Sequence, residues 1–340
     1  MRPIRRYRAP GAAAAGGRRF QILSLSGGGY RGLFTAIILE ELEQRAGRPL
    51  ADCFDIVAGT SIGGILACGL VAGVPASTIR REFERLGDRV FDRHVSVFGR
   101  RLFQMPRLGM LSARYSRAGL EAAVDAVLGE FSGSTLGQTR PGLIVPAVSA
   151  TTGDHFVFET GLPNDPRGSV TLRDVAFATS AAPTFFAEHA VLDNALVDGG
   201  VIANAPDLLA LSRALSLNGR NPSEIRMLSV GTSGAATGEV FKPGRRSGIL
   251  GWMIARNLFG LTLSAQQSLA LSLARDILGG RHVRIDVAAD AARGKAIGLD
   301  KTGAIASTTL RGLAAEAMAR ADAESSPMIS AILRANSSIP

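Results

Sequence analysis

The sequence is poor in several residue types that would each point to a particular kind of protein. Its 340 residues include 2 cysteines, 4 histidines and 1 tryptophan, and aromatic residues make up 6%. Cys53 and Cys68 both lie in apolar surroundings, which predicts buried free thiols rather than a disulfide framework and fits a reducing compartment. No histidine and cysteine cluster has the spacing of metal ligands, so the sequence predicts no metal and no cofactor.

Long apolar runs are also missing. No stretch of about 18 uncharged apolar residues occurs, so no transmembrane helix is predicted. The amino terminus is basic, but the apolar run from Ala12 to Ala15 is too short for a secretory signal. The sequence therefore predicts a cytoplasmic protein and leaves contact with a membrane open.

Lysine is scarce although the chain is basic. The net charge is +9, and the only lysines are Lys242, Lys295 and Lys301, so arginine supplies almost all of the positive charge. Such a surplus suits anionic lipid, nucleic acid or a plain solvated surface. Because aromatic residues are few and no zinc, helix-turn-helix or RNA-binding signature is present, no nucleic-acid partner is predicted.

The chain has enough apolar residues for a large core, since hydrophobic residues make up 46% of it. Residues 1–18 are rich in Arg, Gly and Ala and predict a disordered basic tail. Residues 19–340 predict one domain that ends in a helical extension from Thr302 to Leu333. Its opening order of strand, glycine loop, helix, strand, tight turn and helix predicts an α/β fold, with a mostly parallel sheet and helices on both faces.

Most of the remaining elements are predicted from apolar periodicity. Residues 75–130 are predicted to be helical with interruptions, and their arginines form either a solvated face or a basic rim. The apolar segment 248–278 predicts a core helix, with a lid or interfacial helix as the alternative. Further strands are predicted at 143–149, 156–158, 195–197, 225–230 and 281–286, and further helices at 116–128, 172–179 and 207–215.

A G-x-S-x-G pattern centres on Ser61, with Gly59 and Gly63 on either side. A short apolar strand at 54–58 precedes it and an apolar helix at 62–71 follows it. Strand, sharp turn and helix are the setting of a nucleophile elbow, where glycines leave room for a strained serine backbone. The alternative is a glycine-rich turn with an N-capping serine, and the flanking elements favour the catalytic interpretation.

A second glycine-rich loop, Ser-Gly-Gly-Gly-Tyr-Arg-Gly at 26–32, lies between a strand at 20–25 and a helix at 33–46. Such a loop presents backbone N–H groups to an anion. It lacks the spacing of a dinucleotide fingerprint and the G-K-[ST] of a P-loop. Beside a serine elbow, an oxyanion hole formed by the amides of Gly28 and Gly29 is the better interpretation.

A serine nucleophile needs a base, and histidines are few: His94, His155, His189 and His282. After Asp198 only His282 remains, and it lies inside a short strand, where a structural role is favoured. Asp198 ends a short apolar strand, and the following Gly199 and Gly200 let another backbone approach. The alternative for Asp198 is a hairpin turn. As a base it needs a raised pKa, and hence a partly desolvated site.

Four segments together resemble the patatin-like phospholipase family: 26–32, 59–63, Thr-Ser-Ala-Ala-Pro at 179–183, and Asp-Gly-Gly at 198–200. The resemblance covers about residues 20–233 and implies a three-layer patatin-like fold. It also implies a Ser–Asp dyad without histidine, with Ser61 as nucleophile and Asp198 as base. The oxyanion hole would be formed or supported by Gly27, Gly28, Gly29 and Arg31. Two departures, Ser26 where many members have Asp and Ala205 where many have Asn, leave the dyad untouched.

The serine-led loop and the strand His282 to Asp286 are similar to a narrower subgroup, the cyclic-nucleotide-activated (CapV-like) phospholipase effectors of bacterial anti-phage systems. That resemblance implies a cyclic dinucleotide activator and action on phospholipid at the inner face of the cell membrane. No nucleotide pocket is identified; the arginine-rich segments 80–117 and 245–256 are candidates because arginine suits phosphate. A homo-oligomer is left open.

The sequence-based hypothesis is a phospholipase A type acyl hydrolase. Two alternatives stay open at this point. One is a constitutive soluble esterase or lysophospholipase without nucleotide control. The other is a non-catalytic nucleotide-binding module in which the glycine loop cradles phosphate.

Overall fold

A mixed β-sheet forms the middle layer of the protein. The computed structural model describes residues 19–91, 94–97, 100–103, 115–162, 165–216, 219–234 and 258–335. The strands are β1 (Phe20–Leu25), β2 (Ile56–Gly59), β3 (His94–Val97), β4 (Arg100–Phe103), β5 (Gly142–Ser149), β6 (His155–Glu159), β7 (His189–Val191), β8 (Asn194–Asp198), β9 (Ile225–Val230) and β10 (His282–Ile285). The tail at 1–18, Trp252 and the arginine-rich segment 245–256 lie outside the described residues.

The sheet has the strand order β10-β9-β1-β2-β5-β8-β7, and β6 pairs separately with β5. The five strands from β10 to β5 are parallel, whereas β6 and β8 pair antiparallel with β5. In the register Leu23 of β1 lies between Val57 of β2 and Leu228 of β9. The carboxyl ends of these parallel strands meet at one edge, where the loops that follow them come together.

Helices cover both faces of the sheet. They are α1 (Gly32–Ala46), α2 (Ile62–Val71), α3 (Ala76–Val90), α4 (Arg117–Leu128), α5 (Leu172–Ser180), α6 (Gly200–Ala203), α7 (Asp207–Ser216), α8 (Leu258–Leu278), α9 (Ala291–Ala296) and α10 (Ala304–Arg334). The larger core packs α1 to α5 and α10 on the face of the sheet that carries Leu23 and Val57. The smaller core packs α7 and α8 on the face that carries Ile22 and Ile56. The predicted α/β class, with a mostly parallel sheet between helical layers, is confirmed.

The long helix α10 packs along α1 and closes one side of the larger core. It buries Leu310, Leu313 and Ile332, and the Gln21 side chain of β1 donates to the Ile332 carbonyl at 3.0 Å. The predicted division into a tail and one domain with a helical extension stays a prediction.

Two sequence-based predictions need correction. Strand β2 begins at Ile56 rather than residue 54, because residues 50–53 form a 3-10 turn and the Asp55 carboxylate accepts the Gln21 N–H at 2.7 Å. Residues 94–103 contain the antiparallel pair β3 and β4 instead of helix. Val95 and Val97 alternate there with polar residues, which favours strand over helix. Among the described residues, none of the helices combines the length and the apolar character that a membrane span requires.

Candidate active site

The turn between β2 and α2 holds Ser61 in a strained conformation. Ser61 is the N-cap of α2 and has φ 54° and ψ −125°, which a non-glycine residue rarely adopts. A Cβ on Gly59 would lie 2.2 Å from the carbonyl oxygen of Gly63, and a Cβ on Gly63 would lie 2.3 Å from that of Leu25. The glycines around Ser61 are therefore required by the close backbone approach that a nucleophile elbow needs.

A threonine from a distant helix holds the strained turn in place. The Ser61 N–H donates to the hydroxyl of Thr179 at 3.0 Å, and that hydroxyl donates to the Pro146 carbonyl at 2.7 Å. Thr179 lies on α5 and Pro146 on β5, so two neighbouring elements fix the serine backbone. The sequence placed Thr179 in a family motif, but it gave no signal for this contact.

Asp198 ends β8 in a buried position facing Ser61. Its carboxylate accepts the Gly200 N–H at 2.6 Å, and it lines the same pocket as Ser61. Burial raises the pKa of Asp198 to about 6, while interactions with the Ser61 side chain and the Gly200 N–H act to lower it. A Cβ on Gly199 would lie 2.1 Å from the Pro146 carbonyl oxygen, so the glycine after Asp198 is also needed for close packing.

The glycine loop at 26–32 lies beside Ser61, but its glycines differ in their contacts. The Gly27 N–H donates to the Asn204 carbonyl at 2.8 Å, so it is not available to a substrate oxygen. Gly28 and Gly29 line the same pocket as Ser61, and within the described part of the chain their N–H groups have no acceptor. The N–H groups of Gly28 and Gly29 are therefore placed to donate hydrogen bonds to an anion, whereas Gly27 has a supporting role.

Arg31 supports the glycine loop from outside the pocket. Its Nε–H donates to the Gly28 carbonyl at 3.3 Å, a long hydrogen bond. Burial lowers the pKa of Arg31, while the nearby Asp286 carboxylate raises it. The side chain does not line the pocket that contains Ser61. A contribution of Arg31 to the shape of the loop therefore fits the structure better than direct contact with substrate.

Ser61 and Asp198 line a largely apolar pocket that opens to solvent. Ser61, Ser180, Asp198 and Asn204 provide polar lining, while aliphatic and aromatic side chains form most of the wall. Apolar lining residues include Ile65, Phe83, Leu120, Val127, Phe186 and Leu263. A pocket with this lining suits an apolar group attached to a polar reacting centre.

No histidine lines the described wall of this pocket. His282 pairs with Asp207 at 2.9 Å, and neither side chain is exposed to solvent. Burial alone would raise the pKa of Asp207, but the hydrogen bond from His282 and nearby positive charge lower it to about 2. His189 pairs with Asp174 at 2.9 Å and contacts Arg117. Both histidines are held in structural pairs, as the sequence predicts for His282.

In the segment 80–117, the arginines whose side chains are described pair largely with carboxylates. Arg80 pairs with Glu40 and Glu84, and Arg85 with Glu82 at 2.6 Å. These contacts favour a solvated, ion-paired face over a phosphate site. Among the described residues, no group of three or more histidine, cysteine, aspartate or glutamate side chains is arranged to hold a metal ion.

Comparison with known proteins identifies the family. The sequence model of the patatin-like phospholipases matches residues 23–211, which include the glycine loop, Ser61 and Asp198. This chain belongs to the patatin-like phospholipase family. Membership confirms the predicted family and the predicted enzyme class, a hydrolase. The two predicted dyad positions, Ser61 and Asp198, line the same pocket.

Several curated members of the family are similar over most of the chain. A "cGAMP-activated phospholipase" of Pseudomonas aeruginosa is 36% identical over 301 residues, covering 86% of this chain and 86% of that protein. A protein of the same name from Vibrio cholerae is 35% identical, covering 73% of this chain and 75% of that protein. "Patatin-like protein 1" of Arabidopsis thaliana is 30% identical, covering 68% and 64%. The predicted resemblance to the cyclic-nucleotide-activated subgroup is thus confirmed.

Proposed function

We propose that this protein is a phospholipase A type acyl hydrolase that uses Ser61 as nucleophile and Asp198 as its base. The observation that carries the proposal is the strained Ser61, which shares its pocket with the buried Asp198 carboxylate, whose pKa is raised. A pKa of about 6 leaves most of Asp198 ionised at neutral pH and close enough to the working pH for proton transfer.

The reaction proceeds in two halves. Asp198 accepts the Ser61 proton as Ser61 Oγ attacks the ester carbonyl, and the Gly28 and Gly29 amides bind the resulting oxyanion. The intermediate collapses to an acyl-enzyme, and the proton on Asp198 passes to the glycerol oxygen that leaves with the lysophospholipid. Water then loses a proton to Asp198 and attacks the acyl-enzyme; collapse releases the fatty acid and returns a proton to Ser61.

The substrate class is proposed from the shape and chemistry of the pocket. Its apolar walls suit an acyl chain, and the polar groups needed for ester cleavage lie in the same cavity. The family description supports a phospholipid as the source of that chain. The site of action is accordingly proposed to be a phospholipid membrane, at its cytoplasmic face.

Helix α8 is the proposed membrane-contacting element. Its inner side reaches the catalytic region, because Gln266 donates to the Gly200 carbonyl at 2.7 Å and Leu263 lines the pocket. Its outer side carries an apolar ridge, defined as Leu261, Leu269, Leu273 and Ile277, with exposed fractions of 47%, 61%, 40% and 39%. Arg275 and Asp276 are its only charged residues. Such a surface suits shallow insertion into a bilayer, and the contact of the same helix with the pocket through Leu263 favours phospholipid as the occupant.

Activation by a cyclic dinucleotide is proposed from the relatives. The names of the curated proteins from P. aeruginosa and V. cholerae state that cGAMP activates them, and the similarity extends beyond the catalytic residues. We therefore expect this enzyme to hydrolyse phospholipid faster when a cyclic dinucleotide of this kind is bound, in a bacterial defence response.

The test is fatty-acid release from phosphatidylglycerol and phosphatidylethanolamine vesicles, with and without a panel of cyclic dinucleotides that includes cGAMP. We expect release by the wild type to rise with one member of the panel. Ser61→Ala and Asp198→Ala should each lower release by at least about 10³-fold because each removes a member of the dyad.

Folding and covalent labelling separate the possible outcomes. Circular dichroism should show that both variants keep the wild-type secondary structure, and a fluorophosphonate should label the wild type but not Ser61→Ala. Near-normal turnover by Asp198→Ala would overturn the dyad. Equal release with and without every nucleotide would overturn the activation proposal, while tight nucleotide binding by a wild type that is never labelled would overturn hydrolysis itself.

A further inference from the structure

Arg284 lies outside the part of the chain that matches the family model, yet its side chain reaches the glycine loop at 26–32. It lies on β10, opposite Ser229 of β9, which in turn lies opposite Ser24 of β1. The family match ends at residue 211, so β10 is a contribution of this chain's carboxyl-terminal part. The Arg284 side chain is only 10% exposed, and burial of a guanidinium requires specific partners.

The contacts of Arg284 join the sheet to the start of the glycine loop. One guanidinium nitrogen, Nη1, donates to the Ser26 hydroxyl at 2.9 Å and to the Ser229 hydroxyl at 2.8 Å. The other, Nη2, donates to Asp286 at 2.7 Å. Asp286 in turn accepts the N–H groups of Ser233 and Val287, both at 3.0 Å. Asp286 therefore holds the Nη2 end of the planar guanidinium, and the Nη1 end presents a donor to Ser26.

Ser26 begins the loop that carries the candidate oxyanion donors. Its N–H donates to the Val230 carbonyl at 3.1 Å, and Gly28 and Gly29 follow two and three residues later. On the far side of the loop the Tyr30 N–H donates to the Leu299 carbonyl at 2.8 Å. The loop is thus held at both ends by residues from beyond its own strand and helix.

We propose that Arg284 is a positioning residue that, through the Ser26 hydroxyl, fixes the Gly28 and Gly29 N–H groups relative to Ser61. The inference rests on the proposed function, because it assigns a task to the oxyanion site of that reaction. Arg284 does not line the pocket, so it acts only through the loop. Displacement of catalytic donors by about 1 Å costs up to about 100-fold in rate.

This role predicts a particular kinetic signature. We expect Arg284→Met and Ser26→Ala to lower kcat by about 10- to 100-fold for p-nitrophenyl butyrate, with KM changed less than about threefold. The fluorophosphonate labelling rate should fall in parallel, because its phosphoryl oxygen needs the same donors. The low-pH limb of kcat/KM should keep its midpoint, because Asp198 is untouched. Partial loss of folded protein would instead lower the labelled fraction and leave the labelling rate constant of the folded molecules unchanged.

The variants form a cycle with a matched control. Arg284→Lys keeps a positive charge beside Asp286 but lacks the second donor arm, so we expect a wild-type fold with kcat still reduced. The double variant Arg284→Met with Ser26→Ala should be no slower than Arg284→Met alone, because both changes break the same contact. Arg213→Met removes another partly buried arginine, which pairs with Glu159 at an N–O distance of 3.2 Å. This pair does not contact the glycine loop, so Arg213→Met should keep wild-type kcat.

Each result decides between support and rejection. If Arg284→Met does not fold, Arg284→Lys and Ser26→Ala carry the test. Wild-type kcat in Ser26→Ala overturns the proposal, whatever the kcat of Arg284→Lys. If the wild type itself is neither active nor labelled with any member of the cyclic dinucleotide panel, the proposed function fails instead, so the two failures are distinguishable.

Discussion

Helices α2 and α8 are both rich in apolar residues, but they lie in opposite surroundings. All ten residues of α2, from Ile62 to Val71, are buried. Among the α8 residues whose burial is described, only Ala274 and Leu278 are buried, and Leu269 is 61% exposed. Both helices nevertheless border the same pocket, α2 through Ile65 and α8 through Leu263.

The difference comes from how closely each helix can approach its neighbours. In α2, a Cβ on Gly64 would lie 2.6 Å from the Thr179 methyl carbon, and one on Gly69 would lie 2.9 Å from the end of the Ile79 side chain. These glycines allow packing on every side. Helix α8 instead alternates bulky leucines with Ser, Thr and Gln, so it can bury one side only. Apolar content alone therefore does not distinguish a fully buried helix from one that exposes a side to solvent.

The largest expected effect comes from truncating one leucine in each helix. Leu66 of α2 has no solvent exposure, so Leu66→Ala should lower the free energy of unfolding by about 2–5 kcal/mol. Leu269→Ala on α8 should change it by about 0.5 kcal/mol or less. Urea unfolding followed by circular dichroism measures both values. Equal losses would break the comparison, because they would show that α8 is packed as tightly as α2.

Asp198 lies between the two helices. It is close to Ser61, at the start of α2, and to Gly200, whose carbonyl accepts a hydrogen bond from Gln266 of α8. Its pKa rises from 3.8 to about 6, so the ionised carboxylate destabilises the folded state by about 3 kcal/mol above pH 6. This cost disappears below pH 3.8, where Asp198 is protonated in both states. Asp198→Asn should therefore unfold at a higher urea concentration than the wild type at pH 8, with little difference near pH 3.5. A less stable Asp198→Asn at pH 8 would show that the hydrogen bonds to the carboxylate outweigh its burial.

The smallest expected effect concerns the outer ridge of α8. Changing both Leu269 and Leu273 to Ser should lower fatty-acid release from vesicles by about tenfold, since less apolar surface enters the bilayer. Hydrolysis of p-nitrophenyl butyrate should stay at the wild-type rate. Leu192→Ser is the matched control, because Leu192 is 41% exposed in the turn at the other end of β8 from Asp198. Unchanged vesicle activity, with a smaller oligomer in solution, would assign the ridge to self-association.

The sequence predicts those parts of the site that depend on neighbouring residues. Ser61 needs glycines two positions away on each side, and Asp198 ends a strand before two glycines, so both leave a local pattern. Their proximity depends on the antiparallel pairing of β8 with β5, which sets Asp198 opposite Ala147, beyond the end of β2. The predicted parallel topology does not contain this pairing. Their catalytic roles stay predictions.

The supports of the site were not predictable because they come from distant parts of the chain. Thr179 reaches Ser61 across 118 positions, and Arg284 reaches Ser26 across 258. Such contacts depend on strand register and side-chain direction, which local periodicity does not contain. The pair β3 and β4 was missed for a different reason, since short alternating segments inside a helix-rich region give a weak signal.

The two cysteines have a practical consequence for following the enzyme on a bilayer. Both thiols are buried, and burial raises the pKa of Cys53 and raises that of Cys68 to about 12. Maleimides react with exposed thiolates, so the native background should stay unlabelled. A fluorophore can therefore be attached at a single introduced cysteine, such as Leu269→Cys, without first removing the natural ones.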